Sequence, residues 1–392
     1  MKIACVIHSL DGGGAERVMA GLASRLAIGD HEIELITLDD GERNRHSLDE
    51  SVRRVPLDVL STPGRNVPTW KRLRRLRRAI RHSGYDVVLS FCDATNLLVM
   101  LSIAGMRKRP PIVLSERSDP ARQSLGRVRE WLRDRLYPRA EAVVVLSEEV
   151  ATTLRSRMNI EAVVIPSAVD PPPQDYHALH RSGATGDSPI RLIAIGRVEP
   201  EKGFDRLLGA LAVLNDSANN DSANNDSGDH GSGAMPAWRL KLLGDGSGLA
   251  GLKSFAREHQ MESQIEFCGW VDSVWPHLAE ADVFVLPSFY EGFPSAMLEA
   301  MAGGIAVVAV DAGGGVRAAI RHGENGWMVE NAFLPLVEGL RVVCQNEELR
   351  QRISQSAPQV VDRFGWDAMV DAYERVLGQA AGKRPIPTDP RV

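Results

Sequence analysis

The chain has 392 residues, 44% of them hydrophobic and 25% charged, which supplies about two packed domains at roughly 150 residues each and excludes a disordered protein. Four scattered cysteines without a Cys-x-x-Cys pair exclude a disulfide-stapled scaffold and a cysteine zinc site, and point to a reducing, cytoplasmic setting. The net charge of −5 divides unevenly: residues 1–170 carry 27 basic against 22 acidic residues and the remainder 19 against 29, a balance that argues against nucleic acid as a partner.

In chain order, Met1 to Leu10 is a short apolar run without a basic leader or a small-residue cleavage site, so it predicts a first strand and not a signal peptide. No stretch approaches 18 uninterrupted apolar residues, so no membrane span is predicted. Residues 2–7, 32–38, 86–90, 111–115, 142–147 and 162–166 are short β-branched runs with the character of buried parallel strands. Segments 15–28, 70–82, 92–105 and 125–136 between them have helical apolar spacing. After the break at Asp170-Pro171-Pro172-Pro173 the rhythm restarts, with strands predicted at 190–195, 239–243, 264–268, 282–287, 305–310 and 326–329. Alternating βα units imply parallel sheets covered by helices, hence an α/β chain of two Rossmann-like domains, 1–169 and 170–365. Residues 215–233 repeat Asn-Asp-Ser and offer no apolar side chains to offset ordering, so they predict a disordered surface loop after a helix ending near Leu214. The tail beyond Gly382 reads the same way.

Gly12-Gly13-Gly14-Ala15-Glu16-Arg17 follows the first strand. Glycines there let a backbone approach a phosphate or sugar closely, or simply form a tight turn. The dinucleotide fingerprint fails, because its third glycine would fall at Arg17. Residues 70–81 (WKRLRRLRRAIR) combine an apolar stripe of Trp70, Leu73, Leu76, Ala79 and Ile80 with dense positive charge. Such a helix suits an anionic membrane surface, or is an ordinary helix with a solvated basic face.

In the second half, Gly196-Arg197-Val198-Glu199-Pro200-Glu201-Lys202-Gly203 follows a strand and leads into a helix near Phe204. Two cations five residues apart can flank a diphosphate, Arg197 by paired contacts and Lys202 as a point charge. In residues 287–300, Glu291 and Glu299 stand eight positions apart after a buried strand, with Pro294 suited to a first helical turn between them. Carboxylates accept paired hydrogen bonds from vicinal hydroxyls, so one could hold a sugar and the other a ribose.

The GGGAER loop, the GRVEPEKG segment and the Glu-x7-Glu motif, in that order, resemble the retaining glycosyltransferases of family 4, bacterial polysaccharide and lipid-linked oligosaccharide enzymes among them. Gly244-Asp245-Gly246, Gly269-Trp270-Val271, Ala281-Asp282-Val283 and Asn325-Gly326 fall where that family has similar landmarks, so the likeness spans nearly the whole chain. The resemblance implies the GT-B fold, two facing Rossmann-like domains with an interdomain cleft, and a C-terminal helix (366–382) crossing back to the first domain.

It further implies metal-independent transfer of a hexose or N-acetylhexosamine from a UDP- or GDP-sugar, a co-substrate rather than a bound cofactor, to a glycan or polyprenyl-diphosphate-linked acceptor. Arg197, Lys202 and Glu291 would be catalytic. Gly292, Phe293, Pro294, Ser295 and Glu299 would join them in holding the donor, while Gly13 and Gly14 close over its diphosphate. Ser115-Glu116-Arg117-Ser118-Asp119 resembles a segment of members that extend lipid-linked units. Glu116 and Arg117 there would face the acceptor, or the segment would be a capped helix start. Two departures are Ser167, where many members carry Asn, and the glycine-rich run Ala312-Gly313-Gly314-Gly315. A sugar-nucleotide epimerase of similar architecture and a silent nucleotide-sugar-binding paralogue are the alternatives. The intact Arg197, Lys202, Glu291 and Glu299 argue against the silent one.

Overall fold

A computed structural model describes residues 1–60, 66–123, 125–176, 188–224 and 235–382. It divides into two compact units, Met1–Ala168 with the chain from Trp366 onward, and Val169–Gly365. Each is built on a wholly parallel sheet.

The first unit holds β1 (Lys2–Ile7), β2 (Glu32–Thr37), β3 (Arg53–Pro56), β4 (Val87–Phe91), β5 (Ile112–Ser115), β6 (Ala142–Val145) and β7 (Val163–Val164), in the spatial order β3-β2-β1-β4-β5-β6-β7. Its helices are α1 (Gly14–Ile28), α2 (Thr69–His82), α3 (Asp93–Ile103), α4 (Arg127–Leu136), α5 (Glu148–Met158) and the final Trp366–Ala380 helix. Because strand side chains alternate faces, Ile3, Cys5 and Ile7 pack with Met19, Leu22 and Leu26 of α1 and with Tyr373 and Leu377. Ala4, Val6 and Val88 face the other way, against Leu76 and Ile80 of α2, Val99 and Ile103 of α3, and Leu154 of α5. Buried on both faces, these strands read as near-continuous apolar runs, which is why the sequence marks them so clearly. The final helix is fixed by Trp366, which lies over Gly21 with the Arg25 guanidinium 4.0 Å from its ring. Further along, Tyr373 and Ser115 share a hydroxyl–hydroxyl bond of 3.0 Å.

The second unit holds β8 (Ile190–Ile195), β9 (Trp238–Leu243), β10 (Ile265–Gly269), β11 (Val283–Leu286), β12 (Ala306–Val310) and β13 (Trp327–Val329), ordered β10-β9-β8-β11-β12-β13. In both sheets the chain first builds outward on one side of its first strand and then crosses to the other. The reversal falls at β1/β4 and at β8/β11. Loops diverge there, leaving the crevice at the strand C-termini where open α/β sheets bind ligands.

Three expectations change. Strand β3 has no counterpart among the predicted runs: an edge strand reading Arg-Arg-Val-Pro is largely exposed and lacks an apolar run. The helix expected to stop near Leu214 runs Phe204–Asn224. Asn215 takes a bond from the Trp238 indole N–H (2.9 Å) and donates to Gln264 (3.0 Å), so this polar residue is tied to the body of the unit. An established helix then propagates more easily than it nucleates. Residues 225–233 of the predicted loop, and the tail 383–392, lie outside the described residues.

The stripe of residues 70–81 is the third. Leu76 and Ile80 are each 1% exposed and belong to the core, so the apolar face of α2 is spent on the sheet. Three of its arginines donate to backbone carbonyls: Arg72 to Val67, Arg75 to Leu57 and Asp58, and Arg77 to Ser102 and Ala104. Of the stripe, Trp70 alone stands well out from the surface.

Candidate active site

The C-terminal ends of β8 and β11 feed two loops that meet at the second sheet's reversal. From β8 the chain passes Gly196 and Arg197, makes a 3₁₀ turn at Pro200–Lys202, and enters the helix starting at Phe204 through Gly203. Gly203 has φ +64°, and a Cβ there would collide with the Pro287 carbonyl oxygen, so only glycine allows the two loops this close. From β11 the chain passes Pro287 to Glu291 and enters the Ser295–Ala302 helix, with Pro294 as its N-cap one position before the predicted first turn. The two loops are stitched by the Phe289 N–H donating to the Glu201 carbonyl (2.9 Å).

Across this junction Lys202 Nζ lies 2.7 Å from Glu291 Oε1, and the Ser288 hydroxyl donates to the same oxygen at 2.7 Å. The Glu291 side chain is 10% exposed and that of Lys202 21%. Two of the predicted residues, 89 positions apart, thus form one partly buried pair. Arg197 is not part of it: its guanidinium pairs with Glu201 at 3.2 Å and is 64% exposed. A surface pair of this kind contributes about 0–1 kcal/mol, so an incoming anion can recruit Arg197 at small cost. Glu299 sits in the Ser295–Ala302 helix and is buried. Ser295 opens that helix, and Gly292 and Phe293 form the segment just before it.

The glycine-rich run has a steric cause. A side chain at Gly315 would strike the Gly292 carbonyl and the Phe293 backbone, and the Glu291 N–H donates to the Ala312 carbonyl at 2.9 Å. This loop therefore buttresses Glu291-Gly292-Phe293 from behind. On the other flank, the Ser247 hydroxyl and N–H bond to Glu199 (2.8 and 3.1 Å), and the hydroxyl bond holds that carboxyl below its ordinary pKa.

Sequence reasoning missed Arg206. It is buried, and its guanidinium donates to the Asn331 side chain (2.7 Å) and to the Pro287 and Ser288 (3.2 Å) carbonyls while lying 4.4 Å from the Phe289 ring. Burial pulls its pKa down. Asn331 in turn donates to the Phe289 carbonyl at 2.7 Å. Together they brace the loop that carries Ser288 and Glu291. An arginine set between Asp205 and the apolar pair Leu207-Leu208 in the first turn of the helix was the available signal.

The first unit carries a second cluster, at its own reversal. Gly13 is the N-cap of α1 and Gly14 its first residue. The Glu16 carboxylate folds back under Gly13 and pairs with His8 Nε2 at 3.0 Å. Burial alone would lower the His8 pKa, but the Glu16 bond and charge, with Asp39 and Asp93, outweigh it and the net shift is upward. A histidine raised in the folded state stabilises fully below its ordinary value near 6.5, and that contribution is lost as pH climbs through the raised one. The His8→Ala variant is therefore expected to lose less stability than wild type when pH rises from about 6 to about 9. Thermal melts across that range check it, and parallel curves would refute it.

Glu116 is completely buried and accepts from Ser118 Oγ (2.7 Å) and the Tyr137 hydroxyl (2.8 Å), burial raising its pKa. Arg117 donates to Ser167 Oγ at 2.5 Å and stacks over Phe91. Neither starts a helix, since the next begins at Arg127. Glu116 holds the backbone after β5 and presents no surface to a ligand; Arg117 is half-buried beside it.

These two units match known families over most of their length. Residues 12–172 match the family model described as Glycosyltransferase Family 4, and residues 176–360 that described as Glycosyl transferases group 1. The chain belongs to glycosyltransferase family 4, and the GT-B glycosyltransferase fold follows. A Campylobacter jejuni GalNAc-alpha-(1->4)-GalNAc-alpha-(1->3)-diNAcBac-PP-undecaprenol alpha-1,4-N-acetyl-D-galactosaminyltransferase is 24% identical over 97% of this chain and 99% of its own. Sucrose-phosphate synthase from Thermosynechococcus elongatus superposes with TM-score 0.78 at 17% identity, covering 96% of this chain and 98% of its own. Anabaena HepE in complex with UDP and glucose superposes with TM-score 0.75 at 18% identity, covering 96% and 99%. Among the described residues no helix is long and apolar enough to cross a membrane.

Proposed function

We propose that this glycosyltransferase moves a hexose or N-acetylhexosamine from a UDP- or GDP-sugar, with retention and without a metal, to a polyprenyl-diphosphate-linked or polysaccharide glycan on the cytoplasmic side of a membrane. The observation that carries the reading is the Lys202–Glu291 pair at the β8/β11 reversal, with the exposed Arg197 beside it. The C. jejuni relative acts on an undecaprenol-linked glycan, and the HepE structure holds UDP and glucose, which supports this donor and acceptor class.

In this mechanism the donor's diphosphate takes Lys202 from Glu291 and Arg197 from Glu201. The freed Glu291 then accepts from the donor-sugar hydroxyls, and Glu299 holds the ribose. As the bond from the anomeric carbon to the diphosphate oxygen breaks, its electron pair passes to the phosphate, where the Arg197 and Lys202 charges, already drawn to the bound diphosphate, stabilise it. The acceptor hydroxyl attacks the same face, and the departing phosphate takes its proton. No protein base is needed.

Nucleotide release from a panel of UDP- and GDP-sugars with polyprenyl-linked acceptors tests the proposal. Glu299→Ala is expected to weaken nucleotide binding about tenfold or more, since hydrogen bonds to a charged group contribute roughly 1.5–3 kcal/mol. Glu291→Ala is expected to lower kcat about a hundredfold with little change in nucleotide affinity. Wild-type behaviour in both variants would remove the site assignment.

A further inference from the structure

His8 and Glu16 stand where β1 ends and α1 begins, and the transfer step described above does not use them. The backbone of His8 is pinned, its carbonyl accepting from the Leu38 and Asp39 N–H groups (both 3.1 Å) at the exit of β2. Its ring is fixed through Nε2, 3.0 Å from Glu16 Oε1. Glu16 reaches that position past Gly13: a Cβ on Gly13 would lie 2.6 Å from Glu16 Oε2, so the bare glycine is what lets the carboxylate through. The Glu16 side chain is 11% exposed, whereas that of His8 is 37%. The carboxylate is thus enclosed while the imidazole opens to solvent. Among the described residues Nδ1 of His8 has no hydrogen-bond partner.

A carboxylate bonded to one ring nitrogen holds an imidazole in one orientation and leaves the other nitrogen to act. The charges acting on His8 favour its imidazolium form: Glu16 on α1, Asp39 after β2 and Asp93 at the start of α3. His46, in the loop after β2, differs. Burial lowers its pKa, and Arg17 and Arg45 add to that against the pull of Glu16. Of these two histidines, His8 is the one driven towards the charged form. A charged N–H donor beside Gly12 and Gly13, at φ +114° and +125°, suits an anionic oxygen, because such bonds are about twice as strong as neutral ones. We propose that His8, oriented by Glu16, is a further substrate-binding residue whose Nδ1–H donates to a diphosphate oxygen of a bound substrate at the glycine loop. This deepens the transferase reading and rests on it, since the nucleotide-sugar donor and the lipid-linked acceptor of that reading each carry a diphosphate. No proton leaves His8. Glu16 is a positioning residue that acts through it.

The test has a binding arm and a kinetic arm. In the first, the full chain with isotope-labelled histidine is titrated by NMR with and without inorganic pyrophosphate. The His8 midpoint is expected above the ordinary value of about 6.5, to rise further with pyrophosphate, and to fall in Glu16→Gln. His31, paired to Glu374 at 3.2 Å, is expected not to respond to pyrophosphate. In the second arm, kcat/KM is followed from about pH 5.5 to about pH 9. Because the charged form binds, the wild-type value is expected to fall as pH climbs through the raised midpoint, and Glu16→Gln to move that fall to lower pH. His8→Gln is expected to lose the pH step and to lower kcat/KM about ten- to a hundredfold near neutral pH. A raised KM for the nucleotide-sugar alone assigns the bond to the donor's diphosphate, and a raised KM for the lipid-linked substrate alone to the acceptor's. A His8 midpoint indifferent to pyrophosphate, or a His8→Gln enzyme with the wild-type pH profile, would overturn the proposal. A wild-type chain that transfers no sugar would instead remove the transferase reading, and the pyrophosphate response would still decide whether His8 binds diphosphate.

Discussion

Lys202→Ala is expected to lower turnover about a thousandfold, the upper end of what removing one fixed transition-state donor costs. The magnitude follows from placement: Lys202 stands on a 3₁₀ turn at a sheet reversal, and its partner Glu291 is largely shielded from water. Stability will fall too, because among the described residues Glu291 keeps the Ser288 hydroxyl alone as a partner on Oε1, and an ion pair broken from one side strands the other charge. The double variant Lys202→Ala/Glu291→Gln separates the two effects. Neutralising the stranded carboxylate should restore most of the melting temperature and none of the rate. Nucleotide-release kinetics and thermal melts on the three proteins check it. A Lys202→Ala enzyme within about tenfold of wild type would mean the diphosphate is bound elsewhere.

Gly203→Ala is expected to disrupt the second unit strongly. An alanine held at φ +64° costs roughly 1–2 kcal/mol. The added Cβ also meets the Pro287 carbonyl, which cannot yield freely because the Arg206 guanidinium is bonded to it. Together these amount to about 2–4 kcal/mol, read as a lower denaturation midpoint. Activity should fall further than stability, since the methyl pushes apart the two loops that bring Lys202 to Glu291. Gly251→Ala is the matched control. It lies within the Leu249–Glu258 helix, where an added methyl would meet nothing within 4 Å, and should stabilise by about 0.5–1 kcal/mol. Equal midpoints for the two variants would contradict the steric argument.

Twelve strands are marked in the sequence by short apolar runs, and the edge strand Arg53–Pro56 is not. A strand buried on both faces must be apolar throughout, whereas one at an edge, with Arg53 turned to Glu34 on β2, carries no such constraint. The same distinction explains α2. Its spacing announces an amphipathic helix, but a pattern of period 3.6 says only that one face is apolar, not what covers it. The sheet covers it here, and Trp70 of α2 and Val128 and Trp131 of α4 are among the apolar side chains left outside.

The site divides similarly. Glycine, cation and carboxylate positions following strands were legible because loops at strand ends need special backbone conformations and charges to meet a ligand. Arg206 and Asn331 were not, because a brace is defined by what it touches. Local sequence therefore determined the alternation of elements, the parallel sheets and the residue types available for chemistry, since these follow from periodicity and backbone sterics over a few residues. Tertiary structure alone decided that Lys202 meets Glu291 while Arg197 stays in solvent, that Glu116 is sealed inside, and which helix face remains open. Those outcomes depend on strand order and on contacts between residues far apart in the chain, which no local pattern records.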